Sequence, residues 1–207
     1  MRNMKRFKEV ILPNKGINYF IFMVMVLGIL SGSIFMMILS DKDKSNVVLQ
    51  INTFFKNISL GSIDSGLALK NSLIINYLFV FIIWFLGFTL IGVICNVFLT
   101  YLRGFLVGFS ISAIFVSFGY KGIVASLLYA FFVQILNVFV ICVMAIYSLM
   151  FSYHLFRKIY GKNVIRKKMF KRYFFILMVC VVVSFISSFM EAFVFPNLLK
   201  VIIGLYV

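Results

Sequence analysis

The sequence predicts an all-α, polytopic integral membrane protein of about five transmembrane helices, with its N-terminus inside and its C-terminus outside. Three observations carry that prediction. Of the 207 residues, 64% are hydrophobic and only 12% charged, against about 45–50% and about 25% in soluble domains. The charged residues leave five runs without Asp, Glu, Lys or Arg, at 16–40, 71–102, 104–120, 122–156 and 173–190. The 20 basic side chains are shared very unevenly among the segments joining those runs. Together these features exclude a water-soluble enzyme domain, a disordered tail and a disulfide-rich secreted module.

The five runs are 25, 32, 17, 35 and 18 residues long. A helix needs about 17–25 apolar residues to cross the hydrocarbon, so each run holds one crossing. A single membrane domain follows, with residues 1–16 cytoplasmic, span 1 at 17–39 and an outer loop at 40–71. Span 2 is expected at 73–99, span 3 at 104–119 and span 4 at 123–152. A basic cytoplasmic loop at 154–172, span 5 at 173–195 and an outer tail at 196–207 complete it. The first run is longer than the 7–15 residues of a signal h-region, and no small-x-small cleavage site follows it. After Gly122 the fourth run has neither Gly nor Pro to turn on, which predicts one long helix.

With the N-terminus inside, 14 basic residues fall on the inner side and 6 on the outer, while four of the five acids fall outside. That is the positive-inside bias. Eight of the inner charges lie between Arg157 and Arg172, where anionic headgroups attract each by about 1 kcal/mol. The loop has no base-stacking platform beyond Tyr160 and Phe170, so membrane lipids are the expected partner and no nucleic acid is.

Helices gain no hydrophobic drive from packing together in lipid, so small residues mark close contacts. Gly28 with Gly32, and Gly104 with Gly108, form two Gly-x-x-x-Gly pairs. They suit packing within the bundle and leave homo-oligomerisation open. Gln134 and Asn137 lie one turn apart and should share a face of span 4. Asn76 and Asn96 read as interfacial. Arg103 reads as the inner turn between spans 2 and 3, its stem snorkelling to the headgroups. Glu191 should sit near the outer face, within reach of Lys121, and a Glu191–Lys121 contact is expected there.

In the outer loop, Val47, Val48, Ile51, Phe54, Phe55 and Ile58 recur at helical spacing among polar residues. That is an amphipathic helix, lying on the membrane or receiving a partner. Pro196 should break the fifth helix, turning the tail back along the outer surface. No catalytic set is legible. The lone His154 lies at the cytoplasmic end of span 4, and Cys95, Cys142 and Cys180 have no metal or redox spacing. No metal motif, nucleophile elbow or phosphate loop occurs, so neither an enzyme nor a cofactor is expected.

The strings Leu102-Arg-Gly-Phe-Leu-Val-Gly-Phe109, Gly119-Tyr-Lys-Gly122 and Phe189-Met-Glu-Ala-Phe-Val-Phe-Pro196, with the Gly28/Gly32 pair, resemble the stage II sporulation protein M family. The likeness runs over essentially the whole chain. Relatives tend to carry Pro-Gln-Asn in the fourth span, where this chain reads Phe132-Val-Gln-Ile135, which predicts a straighter helix here. The resemblance implies a non-enzymatic scaffold that gathers two peptidoglycan-degrading partners, stage II sporulation proteins D and P. Its place would be the septal, engulfing membrane of a sporulating cell. The rival from the residues themselves is a small transporter or a transporter's membrane subunit, with Gln134 and Asn137 lining a path.

Overall fold

The computed structural model describes residues 15–62, 64–89, 91–160 and 167–199, without the side chains of 59, 120–122, 125, 131–132, 156–160 and 167–168. Six α-helices and two π-helical segments account for it, with no strand among the described residues. We number the helices α1 (Lys15–Ile38), α2 (Asp41–Ser59), α3 (Ser65–Leu86), α4 (Gly92–Leu128), α5 (Ile135–Tyr160) and α6 (Lys167–Phe189). Five helical stretches are long and apolar enough to cross a membrane: Lys15–Ile38, Ser65–Leu86, Gly92–Gly119, Ile135–Leu155 and Met169–Leu199. The expected number of spans is therefore present.

α5 is the core of the bundle. Met144, Ala145 and Ser148 on it are fully buried, and Ile21, Met25, Val80, Ile83, Ile176 and Cys180 of the surrounding helices close over it. Apolar side chains on the other helices remain exposed, as a lipid-facing surface requires: Phe22, Leu27, Ile82, Phe98 and Val182 among them.

The two Gly-x-x-x-Gly pairs meet each other. A Cβ on Gly28 would lie 2.4 Å from Tyr101 O, and one on Gly104 would lie 2.5 Å from Met25 O. The α1 and α4 backbones approach this closely only because both positions lack a side chain. Gly32 and Gly108 face Phe105 and Ile29 in the same seam.

Spans 2 and 3 differ from the sequence expectation. Their connection is at Gly87–Ile91 and not at Arg103, so α3 ends at Leu86 and α4 begins at Gly92. The charge-free run 71–102 hid this turn, because it holds no charge to mark the boundary. In place of charge, hydroxyls close the turn: Ser148 Oγ donates to Ile83 O at 2.8 Å, Ser152 Oγ to Gly87 O at 2.8 Å and Tyr173 OH to Trp84 O at 2.7 Å. Ile83 O and Trp84 O also share the Gly87 N–H, so the hydroxyls reinforce the last turn of α3 and give Gly87 O a partner in an apolar setting. Phe151 stacks on Tyr173 with ring centroids 4.5 Å apart beneath them.

Three further expectations are corrected. The fourth charge-free run is not one uninterrupted α-helix. Gly119, at φ 55° and ψ −130°, breaks the chain at the end of the third crossing. Beyond it a π-helical turn over Tyr129–Gln134, where Ile135 N–H reaches back five residues to Ala130 O, precedes the crossing Ile135–Leu155. Pro196 does not break the last crossing, which stays helical to Leu199. Proline removes a donor from the ladder, and the chain widens to a π turn over Met190–Val194 just before it, with Phe195 N–H donating to Met190 O. The residues beyond Leu199, where the tail was expected to fold back, lie outside the described residues.

The third concerns α2. It starts at Ser40, whose Oγ accepts from Asp43 N–H at 3.3 Å, and has Asp41 and Asp43 in its first turn, where acids suit the helix dipole. Part of its apolar face is already covered within the bundle. Phe55 and Ile58 are buried against Ile114, Val133, Phe195 and Leu199, with Ile51 packed alongside. The Phe55 and Phe118 rings lie 4.5 Å apart. Leu49 stays exposed, and Phe54, half-exposed, lines a groove between α2 and the bundle.

Candidate functional site

Polar residues from four segments converge inside the bundle. Ser72 and Asn76 stand one turn apart on α3. Arg103 is on α4, about 16 Å from the helix start at 1.5 Å per residue. Tyr129 and Gln134 bound the first π turn, and Ser188 and Glu191 flank the start of the second. A π turn is an insertion into the regular ladder that re-aims side chains, and such turns are frequent at functional sites. Here the two π turns contact each other and present Tyr129, Gln134 and Glu191 to one cavity.

The hydrogen bonds form a directed chain. Arg103 Nη2 donates to Asn76 Oδ1 at 2.9 Å. Asn76 Nδ2 donates to Ser72 Oγ at 3.2 Å and to Ser188 Oγ at 3.0 Å. Ser72 Oγ in turn donates to Glu191 Oε2 at 2.6 Å. Every donor in the chain points from the cation toward the anion. An arginine at the middle of a membrane helix costs about 2.5–3.5 kcal/mol on insertion scales, and this network is what offsets it. Arg103 Cζ also lies 5.2 Å from the Phe79 ring centroid.

Several sequence expectations are revised at this point. Arg103 does not snorkel to the inner headgroups; it is 7% exposed and bonded to Asn76. Asn76 and Asn96 are buried and not interfacial, Asn96 donating to Ser148 Oγ. Glu191 is not at a helix end, because the helix runs on past it. Its partner is Ser72, and the Lys121 side chain expected beside it lies outside the described residues. Gln134 and Asn137 separate: Gln134 Nε2 donates to Tyr129 OH, whereas Asn137 Nδ2 donates to Val133 O at 3.2 Å. Ser187 Oγ also donates to Val133 O at 3.3 Å. Asn137 therefore helps to satisfy a carbonyl at the π turn and is not among the residues lining the cavity.

Two polar groups at this site have no partner. Arg103 Nε and Gln134 Oε1 are buried and unbonded. Both residues line a cavity of about 160 Å³ with Ser72, Asn76, Tyr129 and Glu191. Above it, between α2 and the bundle, a groove of about 480 Å³ shares Ser72, Ile75, Ser110, Tyr129 and Glu191 and is otherwise mostly apolar.

Sequence reasoning selected Arg103, Gln134 and Glu191, placed Asn76 at the interface, and missed Ser72, Tyr129 and Ser188. A signal was present in the Ser72/Asn76 and Ser188/Glu191 spacings inside or beside charge-free runs, because one-turn polar pairs there mark an inward face. Elsewhere, His154 Nδ1 lies 2.6 Å from Met150 O on its own helix. The three cysteines are free thiols, and no cluster able to hold a metal occurs among the described residues.

Five apolar crossings around a buried charge network define a multi-pass helical membrane protein. The chain belongs to the stage II sporulation protein M family, whose model matches residues 20–196. It is accordingly a sporulation-related membrane protein. No curated protein and no solved structure matches it significantly.

Proposed function

We propose that the protein is a non-enzymatic membrane scaffold that recruits and positions peptidoglycan-degrading enzymes at the sporulation septum to drive engulfment of the forespore. Family membership is the observation that carries this reading. In the family the partners are stage II sporulation proteins D and P, and we assign them to this chain on that basis. With the N-terminus inside, α2 stands on the wall side. Because Phe55 and Ile58 are spent on the bundle, the partner surface is the polar side of α2, where Asn46, Gln50, Asn52, Thr53 and Asn57 are exposed. The wall-facing segments carry 6 basic and 4 acidic residues, so contacts there rest on hydrogen bonds more than on net charge.

Deletion of the gene in a sporulating host, with membrane staining, tests the role. Arrested engulfment is expected, and normal engulfment would sink the proposal. Co-purification from solubilised membranes tests the partners: wall hydrolases support the scaffold, and an ATPase subunit supports a transporter. The transporter reading draws on the Arg103–Glu191 cavity at membrane depth. There only Gln134 of the expected pair could face a substrate, so a Gln134→Leu change would abolish flux and spare complex formation.

A further inference from the structure

Arg103 Nε and Gln134 Oε1 are one unmet donor and one unmet acceptor, each on a side chain 7% exposed, lining one cavity. A buried polar atom left unpaired costs about 1–3 kcal/mol, and native structures leave few of them. The cavity's roughly 160 Å³ is far more than the ~10–15 Å³ that one water needs. It therefore has room for a group of several heavy atoms that supplies both an acceptor and a donor.

The charges narrow the chemistry. Arg103 and Glu191 line the same cavity, and the structure records no direct ion pair between them; Asn76 and Ser72 stand in the path. The pair has no net charge. A net anion would meet Glu191 and a net cation would meet Arg103, each at the low dielectric that makes an unbalanced buried charge costly. A zwitterion can lie head to tail against the pair, its anion on the guanidinium and its cation on the carboxylate. The guanidinium matches a phosphate in particular. Gln134 Oε1 requires N–H or O–H donors, which an ammonium has and a quaternary amine lacks.

The mouth narrows the source. Ile75 on α3 and Leu106 on α4 line the cavity and are 51% and 41% exposed. Both lie within crossing segments, where an exposed apolar side chain faces hydrocarbon. The cavity thus opens sideways into the bilayer between α3 and α4. Its upward continuation reaches the surface helix α2, with Phe54 and Gln50 in its wall. An occupant entering there comes from the membrane.

We propose that this cavity binds one phospholipid with a zwitterionic, primary-amine head. The phosphate lies on Arg103, the ammonium is shared by Gln134 Oε1 and Glu191, and the acyl chains leave between Ile75 and Leu106. This site is independent of the scaffold reading, because hydrolase co-purification scores that reading separately.

The test uses the full chain in nanodiscs made from equal parts of phosphatidylethanolamine, phosphatidylcholine and phosphatidylglycerol, released into mild detergent for native mass spectrometry. Wild type is expected to retain the ethanolamine lipid over both others by about tenfold, the size of one charge-assisted hydrogen bond. Gln134→Leu should reduce the preference over the choline lipid to the part that Glu191 supplies, and an unchanged preference overturns the placing of the ammonium on Gln134. Ile75→Trp, at a half-exposed site that tolerates the larger ring, should plug the mouth and abolish retention. Equal retention of the three lipids by wild type overturns the proposal, as does a preference for phosphatidylglycerol. Undiminished ethanolamine retention in Ile75→Trp overturns it too, whether or not Gln134→Leu folds.

Discussion

Arg103 and Glu191, on different crossing helices, are joined by three hydrogen bonds that pass through Asn76 and Ser72 and all point the same way. The relation ties α3, α4 and the last crossing together at membrane depth. Each helix supplies a partner that the others need, since an unpaired charge there is costly.

That coupling predicts non-additive mutations. Arg103→Met leaves Glu191 without its compensating cation and Asn76 Oδ1 without its donor, and should cost about 3–5 kcal/mol. Glu191→Gln should cost less, because the amide oxygen can still accept from Ser72. The double variant should be clearly more stable than the sum of the two losses. Thermal unfolding in detergent across the cycle reads the coupling, and strict additivity would refute it.

At the α1–α4 seam, Gly28→Val should part the helices, because a Cβ there would sit 2.4 Å from Tyr101 O. A backbone atom cannot yield as a flexible side chain does, so a loss of about 3 kcal/mol is expected, at the upper end of overpacking. Faster proteolysis of the α1–α2 connection at unchanged expression would report it. Gly66→Val, whose added Cβ meets only Asp64 Oδ1 at 3.1 Å, serves as the mild control.

Phe55 and Phe54 are neighbours with opposite fates. Phe55→Ala removes a buried ring packed on Phe118 and should cost about 3–5 kcal/mol. Phe54→Ala, at a position 46% exposed, should cost under about 0.5 kcal/mol in detergent. Hydrogen exchange over α2 distinguishes them: protection should drop sharply only for Phe55→Ala. The reverse pattern would mean that the helix docks through its other side.

Gly119→Ala isolates a backbone effect. Nothing lies within 4 Å of the added Cβ, so the whole penalty comes from φ 55° and ψ −130°. A residue with a side chain held there costs about 1–3 kcal/mol. A melting temperature equal to wild type would show that the kink can relax.

How much was legible in the sequence depends on range. The number of spans and the glycines of the close α1–α4 seam follow from composition and spacing, because lipid penalises every charge along a crossing and every gap between helices. The turn at Gly87–Ile91 was not legible, since hydroxyls from α5 and α6 satisfy its carbonyls and no local charge marks it. Nor was the docking of α2: an amphipathic face states that it will be buried and not against what.

The sequence alone specified a five-span helical membrane chain of this family and singled out Arg103, Gln134 and Glu191, but it placed Arg103 at the inner headgroups. Which partners they take depended on the packed bundle. Two π turns, absorbing Pro196 in one case and following the Gly119 kink in the other, rotate Gln134 and Glu191 toward Asn76 and Arg103. Hydrogen bonds between residues 27 to 119 positions apart cannot be read from periodicity, because their geometry exists only after the helices have packed.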